Sequence, residues 1–169
     1  LPMGTSHFNL GFTLKNLGGK MNYADDGSSN FIPASMNIGG GYELPCDKYN
    51  FLTFNVEANK LLVPSRNSAF TEGFDPNDET TWQMSQVEYS NLNSAKGWFQ
   101  SFADAPGGIA EEFREVRWGA GIEYSYNKQF FARAGYSYEN FYKGNRNYVT
   151  FGAGFHLSIV SLDVAYCVG

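Results

Sequence analysis

Apolar and polar residues alternate with period two over most of the chain, the pattern of β-strands with one apolar and one polar face. It is clearest from Val116 to Tyr126. Val116, Trp118, Ala120, Ile122, Tyr124 and Tyr126 face one way, and Arg117, Gly119, Gly121, Glu123 and Ser125 the other. After Asn127-Lys128-Gln129 the alternation resumes with Phe130, Ala132, Ala134, Tyr136 and Tyr138 on one face and Phe131, Arg133, Gly135, Ser137 and Glu139 on the other. Facing residues of an antiparallel pair share a side, so Tyr126 against Phe130 sets Tyr124 against Ala132, Ala120 against Tyr136 and Trp118 against Tyr138. The same register puts Glu123 opposite Arg133 and Arg117 opposite Glu139. Two opposite-charge pairs thus follow from a register fixed on the apolar face alone.

A second hairpin follows the same rule. Val149, Phe151, Ala153, Phe155 and Leu157 lead through a tight Ser158-Ile159 turn to Val160, Leu162, Val164, Tyr166 and Val168. Earlier strands are expected at about 7–17, 31–44 and 50–62, giving about seven in all. Their connections alternate in length. Pro45–Tyr49, Asn127–Gln129 and Ser158-Ile159 are short, whereas Gly18–Asn30, roughly 63–110, and Phe141–Asn147 are longer. Short turns at one end and long loops at the other describe an up-and-down transmembrane β-barrel. An odd number of strands leaves an unpaired edge, so the expectation is a portion of a larger barrel, or strands that pair with a segment outside this sequence. The layout is a single outer-membrane domain over 1–169 with a long extracellular loop at about 63–110.

Alternation alone leaves a lipocalin-like soluble barrel open, since it would bury the same face around a ligand. Composition moves the balance. Of 169 residues, 17% are aromatic, with 11 Tyr and 15 Phe, beside 19 Gly and 17% charged residues. Strands of ten residues or so cross a bilayer with tilt. Tyr124 and Tyr126 near a short turn, and Tyr136, Tyr138, Phe141 and Tyr142 near a long loop, fit two interfacial belts. A polar face of glycines and paired charges suits a hydrated lumen. The mean hydropathy of -0.36 is compatible with a barrel, whose strands average out. A net charge of -5 argues against a nucleic-acid partner. Leu1-Pro-Met-Gly-Thr5 has neither the basic start nor the apolar run of a signal peptide, and both natural ends are expected to lie beyond this sequence. Cys46 and Cys167 fall near opposite ends of the expected strands, so no disulfide between them is expected.

Candidate chemistry is sparse. The polar-face charges Glu57, Arg117, Glu123, Arg133, Glu139 and Asp163 read as a hydrated ladder that stiffens the wall, with neither a nucleophile nor a metal ligand arranged beside them. His7 and His156 have no defensible Ser/Asp partners in the sequence. Gly39-Gly40-Gly41 lacks the Lys-Ser/Thr of a phosphate loop. No catalytic residue, metal or cofactor is expected. The long loop is richer. Trp82, Met84, Tyr89, Trp98, Phe99 and Phe102 are too apolar for a disordered segment. Ser94–Ala103 suggests a short helix with Trp98 and Phe102 on one face, stopped by a turn at Asp104-Ala-Pro106-Gly-Gly108. Trp82, Trp98, Phe99, Phe102, Asp104 and Pro106 form the candidate partner-binding loop; the competing reading folds these aromatics back to roof the barrel.

Ser101-Phe-Ala-Asp-Ala-Pro-Gly-Gly-Ile-Ala-Glu-Glu-Phe113, Gly119–Tyr126, Phe131–Tyr136, Lys143-Gly-Asn-Arg146 and Val149–Gly154 resemble the PorV family in order and spacing. Gly11-Phe-Thr-Leu-Lys-Asn-Leu-Gly18 and Val56-Glu-Ala-Asn-Lys60 fit the same family. The resemblance implies a FadL-like barrel of fourteen strands, of which this is the C-terminal portion, in the bacterial outer membrane. It implies non-enzymatic work in type IX secretion: taking cargo bearing a C-terminal β-sandwich signal domain from the translocon barrel to the surface sortase complex. Tyr166-Cys-Val-Gly169 stops where the resemblance would place a further closing strand. The alternative is a FadL-like transporter of fatty acids or other hydrophobic molecules, which needs an apolar pocket; an enzyme acting on outer-membrane lipid lacks a catalytic set.

Overall fold

The structure, a computed structural model, describes residues 5–22, 29–64, 75, 77–105 and 108–169; the side chains of Asn22, Trp82, Met84, Ser85 and Gln86 lie outside that description. Seven strands form one sheet: β1 His7–Lys15, β4 Ser35–Pro45, β5 Asn50–Leu61, β6 Arg117–Tyr126, β7 Phe130–Tyr138, β8 Tyr148–His156 and β9 Ser161–Val168, in the order β1-β4-β5-β6-β7-β8-β9. Pairings from β5 to β9 are antiparallel. The sheet is all-β and up-and-down as expected, and it is not closed on itself, because β1 and β9 end the order. The sequence reading lacked β2 Met21–Asn22 and β3 Ser29–Asn30, which pair within the 18–30 connection, and two of the helices that follow. Between β5 and β6 come α1 Glu79–Asn91, α2 Ser94–Gln100 and α3 Ile109–Glu115. No helix is long and apolar enough to cross a membrane among the described residues.

The register expected for β6 and β7 is the one observed, from Tyr126↔Phe130 through Glu123↔Arg133 to Trp118↔Tyr138. The ladder ends there, one pair short of Arg117 and Glu139. On its other flank Arg117 stands opposite Asn59 of β5, and the Glu139 carboxylate takes its hydrogen bonds from Arg146. Arg117 acts on Glu139 as a nearby positive charge and not as its hydrogen-bond partner. The chain leaves β7 after Tyr138, and a nearer guanidinium from the following loop takes the carboxylate.

Turn chemistry explains the tight connections. Asn127 and Lys128 both have φ of 53°, and Gln129 N–H donates to Tyr126 O at 3.0 Å, the left-handed pair that matches strand twist in a two-residue hairpin. Leu157 N–H donates to Val160 O at 2.8 Å around Ser158-Ile159, where the tight turn was expected. At 46–49, one Asp47 oxygen accepts the backbone N–H groups of Tyr49 and Asn50 at 2.8 and 2.9 Å. Those bonds, the one from Tyr49 foremost, hold the Asp47 carboxyl below its ordinary range.

The contacts gather into two compact units. The sheet unit comprises 1–12, 37–59 and 117–169; the helical unit comprises 13–36 and 60–116. In the sheet unit, most of the apolar face is exposed, including Phe8, Leu10, Phe12, Val56, Phe151, Leu162, Val164 and Tyr166. Its polar face is a shallow groove of about 700 Å³ lined by glycines with Asn9, Asn55, Glu57, Arg117, Ser137 and Thr150. On this face polar side chains lie across the glycines and would have to shift for a larger residue. A Cβ at Gly135 would stand 2.8 Å from Thr150 Oγ1, and one at Gly154 would stand 2.5 Å from Asp163 Oδ1.

The helical unit is built differently. Among the described residues its buried apolar side chains are Phe31, Ala34, Leu62, Tyr89 and Ala105. Gly97 of α2 is buried where a Cβ would meet Phe31 at 2.7 Å, so this helix packs by its backbone. Phe31 meets Tyr89 edge to face at 5.0 Å. Helix α1 begins with the Asp78 side chain accepting from Thr80 N–H and has no basic residue in its last turn. Lys20, distant in sequence, supplies that charge. Its Nζ donates to Tyr89 O at 2.6 Å and Ser90 O at 2.7 Å, and lies 4.4 Å from the Phe31 ring centre. Burial lowers the Lys20 pKa.

Candidate functional site

The charged residues of the sheet's polar face form a connected network. Arg133 lies in β7, and carboxylates reach it from the adjacent strand β6 and from β9, the strand beyond β8. Its Nε donates to Glu123 of β6 at 2.5 Å and a terminal nitrogen donates to Asp163 of β9 at 2.5 Å. The remaining Asp163 oxygen is 2.9 Å from His156 Nε2, and the His156 ring rests 4.5 Å from Phe131. Glu123, Arg133 and Asp163, expected as a ladder, are thus brought together. Glu139 belongs to a separate fork, accepting from Arg146 Nε at 2.8 Å and from its terminal nitrogen at 3.3 Å. That fork holds the Glu139 carboxyl below its ordinary range. Arg117 lines the groove with Glu57. The contact of His156 with Asp163 was missed in the sequence, although parity puts both on one face across the last hairpin. Because Asp163 is shared with Arg133, the dyad is a member of the ladder and leaves no carboxylate dedicated to orienting the imidazole.

The partner-binding candidates lie in the helical unit. Alternation assigns Leu52, Phe54, Val56 and Ala58 to the apolar face of β5, and then the pattern inverts: Lys60 takes the apolar position and Leu61 the polar one. Lysine at an apolar position needs cover and counter-charge. Both come from α3, where Glu112 and Glu115, three apart, share a face. Lys60 Nζ donates to Glu112 Oε2 at 2.7 Å and to Glu115 Oε2 at 3.0 Å, and Lys60 is only 6% exposed. The other Glu112 oxygen accepts from Ala105 N–H at 2.9 Å, joining the turn after α2 to the same charge centre. Ser101, fully buried, closes α2 by donating Oγ–H to Trp98 O at 2.7 Å.

Around this clamp the apolar side chains point outward. Phe99 is 78% exposed, Ile109 77%, Phe113 62% and Phe102 44%. Trp98 is half-buried, and Asp104 is buried. The expected helix ends at Gln100, so Phe102 falls just beyond it. Trp82 lies in α1, but its side chain, like Pro106, is outside the described residues. The carboxylates of Asp104, Glu112 and Glu115 lie within 4.8 Å of one another, a spacing compatible with a metal ion. The Lys60 ammonium already sits between two of them, so the cation of this cluster is the protein's own. Lys60, Glu112 and Glu115 were not among the expected site residues. The inversion at Lys60-Leu61 was the available signal.

Residues 5–68 match the family described as type IX secretion system protein PorV. The matched stretch includes Gly11–Gly18 and Val56–Lys60, two of the segments in which the resemblance was seen, and it carries Lys20, Phe31 and Lys60. No curated protein matches the chain.

Proposed function

We propose, from the match of residues 5–68 to the PorV family, that this chain is the C-terminal portion of a fourteen-stranded outer-membrane barrel serving type IX secretion. The match supports the secretion role. The sheet supports the barrel and membrane reading: one continuous face of exposed Phe, Leu, Val and Tyr backs a face of glycines and paired charges, the two-sided wall of a barrel in lipid. In this reading 1–169 is one barrel domain, and the segment at about 63–110 lies outside the cell.

The finer role is a non-catalytic shuttle. It binds the C-terminal β-sandwich signal domain of secreted cargo as cargo leaves the translocon barrel, and passes it to the surface sortase complex. The observation that carries this is the exposure of Phe99 in α2, Phe102 just after it, and Ile109 and Phe113 in α3, a short helix held by ion pairs to the buried Lys60. Aromatic anchors presented from a fixed support are what protein interfaces use. In the bilayer, the sheet's exposed apolar face meets outer-membrane lipid; the helical unit's exposed aromatics fit a protein partner.

The test is to extract the full-length protein from native membranes in mild detergent and identify what accompanies it by mass spectrometry. Secreted proteins sharing a C-terminal β-sandwich domain, translocon components or sortase components are expected. Fatty acid or lipid alone, with no protein partner, overturns the shuttle in favour of a FadL-like transporter.

A further inference from the structure

We infer that Lys60 is the positioning residue of the partner-binding surface, setting the geometry in which α2 and α3 display their aromatic side chains. The inference rests on the shuttle reading and adds to it the residue on which presentation depends.

Both helices are seven residues long, below the length at which a helix holds itself together in water. Helix α3 has no side-chain cap at its start, where Gly108 has a φ of 67°. Its two inward carboxylates, Glu112 and Glu115, both end on Lys60. On the same helix Ile109 and Phe113, one turn apart, remain exposed. The turn that follows α2 is drawn to the same point, through Ala105 N–H on Glu112 and through the Phe102 ring, 5.9 Å from Lys60 Nζ. One ammonium therefore binds the helix after the turn and stands beside an exposed aromatic before it. The cost of burying a lysine at an apolar strand position marks a place where local pattern has yielded to another requirement. Without Lys60, two carboxylates would face each other under cover and drive α3 away.

The test compares Lys60→Met and Lys60→Arg in the full-length protein, expressed in its own outer membrane. Three readouts are taken: heat-modifiable migration for the barrel, tryptic cleavage after Lys96 and Arg114 for the helices, and recovery of co-purifying secretion proteins. For K60M we expect unchanged heat-modifiability, cleavage faster by roughly tenfold or more because it follows the opened population, and loss of partner recovery. K60R, which keeps the charge and forks to two carboxylates, restores protection and recovery. Wild-type cleavage and recovery in K60M would overturn the inference. So would faster cleavage with recovery intact, if Phe99→Ala/Phe113→Ala abolishes recovery; that pattern leaves the shuttle reading standing. If the double Phe variant recovers partners normally, the reading itself fails. Should K60M block barrel assembly, Glu115→Gln removes one of the two contacts and is read by the same outcomes.

Discussion

The sheet and the helical unit expose comparable kinds of apolar side chain for opposite reasons. In the sheet, exposed Phe, Leu, Val and Tyr recur at every second residue along the strands, and no single one matters to their arrangement. The hydrogen-bond ladder fixes the face, and alternation populates it. In the helical unit the exposed residues follow no long period. Phe99 and Phe113 are where they are because a handful of specific contacts hold two short helices, Gly97 against Phe31 for α2 and Lys60 with Glu112 and Glu115 for α3. A face generated by periodicity suits a solvent as uniform as lipid. A face generated by particular contacts suits a particular partner.

The comparison breaks most readily at Lys60. Lys60→Met removes the cation between two largely covered carboxylates and is expected to cost the helical unit about 3–5 kcal/mol, with the sheet register unchanged. Proteolysis mapped by mass spectrometry separates the two, since new cuts should cluster between 92 and 116. In the sheet no single side chain has that leverage, and the backbone is the sensitive point. Gly135→Val forces a side chain against Thr150 Oγ1 and Ala120 O, for which overpacking predicts a loss of about 1–3 kcal/mol. A lower temperature for loss of heat-modifiable migration checks it.

Smaller effects sharpen the account of the polar face. Arg133→Glu sets three carboxylates together, and Glu123→Arg added to it should regain only part of the loss. The cross-strand pair with Glu123 is worth about 0.2–1 kcal/mol, and Asp163 keeps a repelling neighbour. Arg117→Glu is expected to do less than Arg133→Glu, because Arg117 lies opposite Asn59. Full rescue, or a larger effect at Arg117, would contradict the network drawn here; the readout is again thermal heat-modifiability. Last comes acid. The folded-state pKa of Glu139 is depressed, chiefly by its hydrogen bond from Arg146, so its contribution is present above the ordinary glutamate pKa and is lost as pH falls through the depressed value. Hydrogen exchange across 139–147 should rise in that window beyond its intrinsic pH dependence, and Glu139→Gln should remove the step.

How far the sequence spoke differs between the two regions in the same way. Every strand of the large sheet was legible, and the register of β6 with β7 followed from the side shared by Tyr126 and Phe130. Only its end was misjudged: Arg146 competes for Glu139 through a loop whose path no alternation encodes. In the helical unit α2 was legible from Ser94 to Gln100, whereas α1 was not. The apolar residues Trp82, Met84, Val87 and Tyr89 make no clean helical stripe, and its termini rely on Asp78 and on a lysine from position 20. Of the expected binding residues, Phe99 and Phe102 are exposed, Trp98 is half-buried and Asp104 is buried; their support was invisible because Lys60 and Glu112 meet across 52 residues.

The most direct measurement places a photo-crosslinking amino acid at Phe99 in the full-length protein in living cells, with a second at Phe151 on the apolar face of β8. The account predicts protein adducts at Phe99, to secreted proteins with a C-terminal β-sandwich domain or to translocon or sortase components, and lipid adducts alone at Phe151. Protein adducts absent at Phe99, or the same adducts at both positions, would contradict it.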